Sequence, residues 1–290
     1  AILDLKRPNA HVHIPDAAKV LALDFAEGTG TTAYDRSANA ATATFAGDTQ
    51  WSATSGSPYG KALNIGATGG SGGVLVPNSS ALNPTNAVTV MAWVNFRGAG
   101  PDPTAPRIVT KDLDISPWQT YGMGMINANS DRRVFFEVTD GVSQVVGATS
   151  TTVLAPGIWY FVAGVYDGAT SRIYVNGTLE ASGTGSITIG SSTNDVTVGR
   201  HLGGSNNWNG YIDEAAIFNR ALSTAEIQAL FNGTAFAGSH TLTARAFDAA
   251  SRQAEASVSF SVSPETTPPT ISISSPVNQS YSDSNIALSW

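Results

Sequence analysis

Apolar and polar residues alternate with period two through most of the chain. In VTVMAWVNF (88–96), Val88, Val90, Ala92, Val94 and Phe96 fall on one face, with Thr89, Met91, Trp93 and Asn95 on the other. The run IWYFVAGVY (158–166) is apolar on both faces, which predicts a strand covered on both sides. SRIYVNGTLEAS (171–182) predicts a hairpin, since Asn176-Gly177 supplies the positive φ values a tight type I′ turn needs. DVTVGR (195–200) adds a short strand, and GYIDEAAIF (210–218) a further one. Many short strands between turn signals predict a β-sandwich.

The period changes to 3.6 only in STAEIQALF (223–231). Ser223 and Glu226 have the spacing of a capping box, and Leu222 and Ile227 that of a hydrophobic staple. Ile227, Leu230 and Phe231 then share one face, and Gly233 can end the helix. Beyond Thr234, residues 239–262 read as two alternating strands joined by a polar turn, followed by a Pro/Thr linker and the start of another strand. Four segments are expected: an extension (1–19), the sandwich (20–234), paired strands (235–264), and a linker entering a further module (265–290). A first residue that is not methionine, and an end inside a strand pattern, suggest a piece of a longer protein.

Composition narrows the function. With 15 Lys and Arg spread thinly and a formal net charge of −7, the chain lacks the clustered cations that neutralise nucleic-acid phosphates. It has no cysteine, so disulfides, thiolate metal sites and a cysteine nucleophile are excluded. No apolar run is long enough to span a membrane as a helix. His11 and His13 share a face of an extended segment, but no third metal ligand stands near them.

Several stretches in order resemble the laminin-G-like, concanavalin A-type domain of multimodular secreted bacterial proteins. They are LALDFAEGTGTTAYDRSAN (21–39), YGKALNIG (59–66), VTVMAWVNF, GIWYFVAGVYDGATSRIYVNGTLEASG (157–183) and GYIDEAAIFNRALSTAEIQALF (210–231). The resemblance implies an all-β, concanavalin A-like jelly-roll sandwich with one short C-terminal helix, and an immunoglobulin-like strand tail. It also implies a secreted or cell-surface location. Many members of such a family hold a structural calcium ion, and by that resemblance Asp24, Asp35 and Asp213, with Asn39, are the expected ligands. The bland alternative is that Asp35 makes an Asx turn and Asp24 caps a strand end.

Catalysis is not expected. Asp213 and Glu214 are adjacent, and neighbours on a strand diverge, whereas glycosidases need two carboxylates converging on one bond. The Glu-x-Asp-x-x-Glu strand of hydrolases with this fold is absent, since Glu137 is followed two residues on by Thr139. A non-catalytic adhesion module binding a polysaccharide or cell-surface glycan is the leading expectation. Its candidate residues are Trp118 with Asp112 and Asp114, and Trp208 with Arg200, His201, Asn206 and Asn207, in two segments that read as loops. The alternatives are a structural subunit of a fibre, sheath or adhesin stalk that self-assembles through its termini, and a polysaccharide lyase or hydrolase. Trp93 and Trp159 read as core.

Overall fold

The computed structural model describes residues 17–52, 61–100, 103–232, 238–247 and 253–262, the last two as backbone. In chain order come β1 (Lys19–Leu23), β2 (Thr32–Tyr34), β3 (Thr42–Gly47), β4 (Thr49–Trp51), β5 (Leu63–Ile65) and β6 (Gly72–Val76). After a 3-10 turn at Ser80–Leu82 follow β7 (Val88–Phe96), β8 (Arg107–Asp112), β9 (Gln119–Asn127), β10 (Asp131–Thr139) and β11 (Val145–Val153). Then come β12 (Trp159–Tyr166), β13 (Thr170–Val175), β14 (Thr178–Thr184), β15 (Val196–Val198), β16 (Gly210–Phe218) and helix α1 (Thr224–Asn232). Strands β17 (Gly238–Phe247) and β18 (Gln253–Val262) pair as an antiparallel hairpin, as the alternation over 239–262 predicts. His11, His13 and the segment from 263 onward lie outside the described residues.

Two eight-stranded antiparallel sheets form the sandwich. The first runs β14-β13-β12-β7-β16-β5-β4, with β1 also paired to β16, and the second runs β11-β10-β9-β8-β15-β6-β3-β2. Both faces of β7 are buried, for different reasons. Val88, Val90, Ala92, Val94 and Phe96 point into the core between the sheets. Met91 and Trp93 point outward, into a second apolar cluster with Phe161, Ala163, Val165, Tyr174, Ala216 and Phe218. The stapled helix supplies its roof, with Leu222 and Ile227 buried there. That roof is why β12 is apolar on both faces.

Local chemistry sets the helix and the sheet contacts. The Glu226 N–H donates to Ser223 Oγ at 3.3 Å, while the Ser223 N–H donates back to Glu226 Oε2 at 2.8 Å, completing the capping box. Asn176 and Gly177 take φ values of 48° and 75°, as the hairpin turn demands. Gly164 is required because a Cβ there would lie 2.0 Å from the Phe136 ring of the opposing sheet.

Strand β16 changes partner midway. Gly210–Ile212 pair with β5 and Ala215–Phe218 pair with β1, with a bulge between Asp213 and Ala216 on the β7 side. Glu214 has φ 50° at that bulge. The adjacent acids therefore mark an irregularity in the closing strand. Asp213 is fully buried, and its Oδ1 accepts the Glu214 N–H at 2.9 Å.

Candidate ligand-binding site

The outer face of the second sheet carries polar residues where the first sheet carries apolar ones. On β10, Phe136 and Val138 enter the core, so Phe135 and Glu137 face outward. Beside them β9 offers only glycine: Gly124 lies between Arg107 and Phe135, and Gly122 between Thr110 and Glu137. With no side chain between, the Arg107 guanidinium lies over the Phe135 ring at 5.3 Å. Arg107 also donates to Gln119 Oε1 at 3.0 Å, and the Gln119 amide donates to Glu137. On β15, Val196 and Val198 are core, which leaves Thr197 on the outer face.

Two loops fold back over this face. In the 113–118 loop, Leu113 N–H donates to Trp118 O and Trp118 N–H to Ile115 O, both at 2.8 Å. In the 199–206 loop, Asn206 O accepts the Arg107 N–H at 2.8 Å, and Arg200 O accepts the Thr197 hydroxyl at 2.6 Å. The loops meet where the His201 ring stands edge-on to Trp118, with centroids 6.1 Å apart. Trp118 has φ 72° and is 49% exposed, so its ring forms the open side of the contact. His201 Nε2 lies 3.6 Å from Asp112 Oδ1, and Asp112 Oδ2 accepts the Thr197 hydroxyl at 2.7 Å.

Beneath the loops, hydrogen bonding is incomplete. Among the described residues, Arg107 Nε and Thr110 Oγ1 are buried without a hydrogen-bond partner, and Asp112 Oδ1 and His201 Nε2 make none of good geometry, though the Leu202 backbone lies near the first and the Trp118 backbone near the His201 ring. Unmade bonds at buried polar atoms are costly, about 1–3 kcal/mol each, and call for a physical explanation. Burial pushes the Asp112 carboxyl up to about 7, against hydrogen bonds from the Thr197 hydroxyl and the Leu202 backbone and the charges of Arg107 and Arg200. Burial, reinforced by Arg107, holds His201 below its ordinary value. Burial also raises Glu137, with Arg107 opposing. At neutral pH the site therefore holds a neutral imidazole beside a carboxyl near its midpoint.

The structure brings together Asp112, Trp118, Arg200 and His201 from the expected set, and corrects others. Asp112 ends strand β8 and is fully buried, where the sequence suggests a loop. Trp208 is no platform: it is fully buried in the core, edge-on to Phe96 at 5.8 Å. Asn207 is also buried, its amide donating to Gly204 O at 2.7 Å, and Asn206 donates to Ala105 O at 3.3 Å. Both shape the loop. Asp114 is exposed, and its charge favours protonation of His201. Arg107, Thr110, Gln119 and Thr197 belong to the site but are not evident as candidates in the sequence, and Glu137, which also belongs, is weighed there only as a hydrolase acid. The two glycines of YGMGM (121–125), inside a strand, are the signal that could have found them.

The residues expected to hold calcium each make contacts within the chain. Asp35 accepts from Ala22 N–H and Ser37 N–H at 2.8 Å, from Ser37 Oγ at 2.7 Å and from Ala41 N–H at 3.3 Å. Asp24 pairs with Arg36 at 3.1 Å, and the Asn39 amide donates to Val20 O at 2.7 Å. The Asp24 and Asp35 oxygens are engaged by the chain itself, and among the described residues no three His, Cys, Asp or Glu side chains group as a metal site. Nor, among those residues, is any helix long and apolar enough to cross a membrane.

Comparison with known proteins places this fold. Human Pappalysin-1 is 28% identical over 159 residues, covering 50% of this chain and 10% of that protein. Thus the chain spans about a tenth of that relative's length. A structure of botulinum neurotoxin type C, whose cell entry depends on two ganglioside molecules, aligns with a TM-score of 0.56 at 17% identity, covering 76% of this chain and 52% of that one. Domain 4 of the extracellular arabinanase AbnA from Geobacillus stearothermophilus, solved with arabinotriose, aligns with a TM-score of 0.54 at 18% identity, covering 73% of this chain and 97% of that one. At such identities these structures show a shared fold. The family profile described as the concanavalin A-like lectin/glucanases superfamily matches residues 68–228, more than half of the chain, and the chain belongs to that family.

Proposed function

We propose that this chain is a non-catalytic, extracellular module that binds a glycan on the outer face of its second sheet. The observation that carries this reading is the half-exposed Trp118 ring standing against His201, over a polar floor whose hydrogen bonding is incomplete among the described residues. An aromatic face beside a few placed polar groups is the usual composition of a small-ligand site. Glycan-related solved structures with the same fold, the ganglioside-dependent toxin and the arabinotriose-bound domain, support the class of ligand. Within this proposal the segment from 235 onward is an immunoglobulin-like attachment to a larger secreted or surface protein.

Affinity electrophoresis through gels containing neutral and acidic polysaccharides tests the reading. The wild type should be retarded by at least one of them, and Trp118→Ala should be retarded less in the same gel. No retardation by any member of the panel would remove the proposal. The Asp112–His201 pair, a carboxyl titrating near neutrality beside an imidazole, favours acid–base chemistry as a second reading. Release of reducing ends or unsaturated products from the same polysaccharides would establish it.

A further inference from the structure

We propose a second glycan-contact surface, a strip of alternating aromatic and amide side chains crossing the outer face of the first sheet. The strip follows from register. Trp159 stands opposite Asn95, Asn95 opposite Tyr211, Tyr211 opposite Asn64, and Asn64 opposite Gln50. Their chain neighbours Val94, Phe96, Ile212, Leu63 and Ile65 point into the core, which places these five side chains on the outer face. One row further along, Trp93 and Phe161 lie under the helix, with Phe231 stacked on Trp93 at 5.8 Å. The helix thus walls the strip on one side, and Trp159 packs against that wall. Four strand spacings give it a length of about 19 Å.

Its chemistry fits an extended neutral polysaccharide lying across the strands. Trp159 and Tyr211 are partly exposed, with ring centroids 6.2 Å apart. Asn95 lies between them at 7% exposure. Among the described residues, no side-chain hydrogen bond is made by the Asn95 amide, the Trp159 indole N–H or the Tyr211 hydroxyl. The Trp159 ring can take the apolar face of a sugar ring, with Tyr211 beside it, and the amide can serve a hydroxyl as donor and acceptor. The nearby cation is already committed. Arg97 lies 5.1 Å over the Tyr211 ring and donates to Ile65 O, Gly66 O, Asn209 Oδ1 and Asn64 Oδ1. The row itself contains no carboxylate and no ammonium group, which disfavours a charged ligand.

The test uses the full chain and NMR of side-chain amides, with oligosaccharides of arabinan, galactan, xylan, mannan and mixed-linkage glucan as probes. In Trp118→Ala, which disables the first site, at least one probe should still shift the Asn95 amide signals saturably. Trp159→Leu should weaken that binding about tenfold, while Trp159→Phe, which keeps a ring, should retain most of it. Thermal melts establish that both variants are folded. If no probe moves the Asn95 signals, or if Trp118→Ala abolishes every shift, the strip is not a binding surface, and the second outcome leaves the first site standing. Loss of binding in Trp159→Leu with none in Trp118→Ala would instead uphold the strip and overturn the first site.

Discussion

The two sheets share a core but treat their outer faces in opposite ways. The first sheet buries Met91, Trp93, Phe161 and Ala163 under a helix, and the contact is apolar. The second buries Arg107, Thr110, Asp112, Gln119 and Thr197, partly under two loops that leave several polar atoms unpaired. Burial of the first kind stabilises by about 1.5–3 kcal/mol for each large apolar side chain. Burial of the second kind costs free energy wherever a bond is missing. On the proposed function, the difference separates the face that holds the molecule together from the face that meets the ligand.

The largest expected effect on stability is under the helix. Ile227→Ala should lower unfolding stability by about 2–4 kcal/mol, measured by chemical denaturation, and leave polysaccharide retardation unchanged. Equal loss of binding would mean that the two faces are not independent.

Asp112 supplies the opposite sign. Its unfolded carboxyl titrates near 3.9, its folded one near 7, so between those values the folded chain keeps a proton the unfolded chain has released. The stabilisation by the neutral acid is full below about pH 4 and is lost as pH rises through about 7. His201, held low by burial, works the other way, so the slope is read as a difference. Asp112→Asn should be more stable than the wild type at pH 8 by about 2–3 kcal/mol, and the advantage should vanish near pH 4. Denaturation midpoints across that range measure it.

Asp35 joins the two layers, accepting from Ala22 on β1 of the first sheet and from Ala41 just before β3 of the second. Asp35→Ala should cost about 1–3 kcal/mol, equally with calcium or with a chelator present, by thermal melting. A loss seen only with calcium would place a metal at that corner. Trp118→Ala should be the mildest for stability, within about 0.5 kcal/mol, and the most severe for ligand binding.

The helix-covered side of this comparison was legible. The alternation in 88–96, the doubly apolar run at 158–166 and the Ser223–Glu226 spacing all report short-range pattern, and each element formed where the pattern placed it. On the other side, Trp118 and His201 could be named, but not the floor beneath them. RIVTKD (107–112) shows no alternation because bulges and covering loops bury every residue of β8. A polar residue on such a strand reads as solvent-facing. The Gln119 and Glu137 contacts depend on register between strands, which the sequence does not display locally. Trp208 misled for the converse reason: it follows a polar loop, yet its ring turns into the core.

The central claim is that the unpaired polar atoms of the second sheet serve a ligand, and Thr110→Val tests it most directly. The substitution replaces a buried hydroxyl that lacks a hydrogen-bond partner with a methyl of similar shape. The account predicts a melting temperature equal to or above that of the wild type, together with weaker retardation by the polysaccharide that binds. A fall in melting temperature with binding intact would show that the polar floor belongs to the fold, and would contradict it.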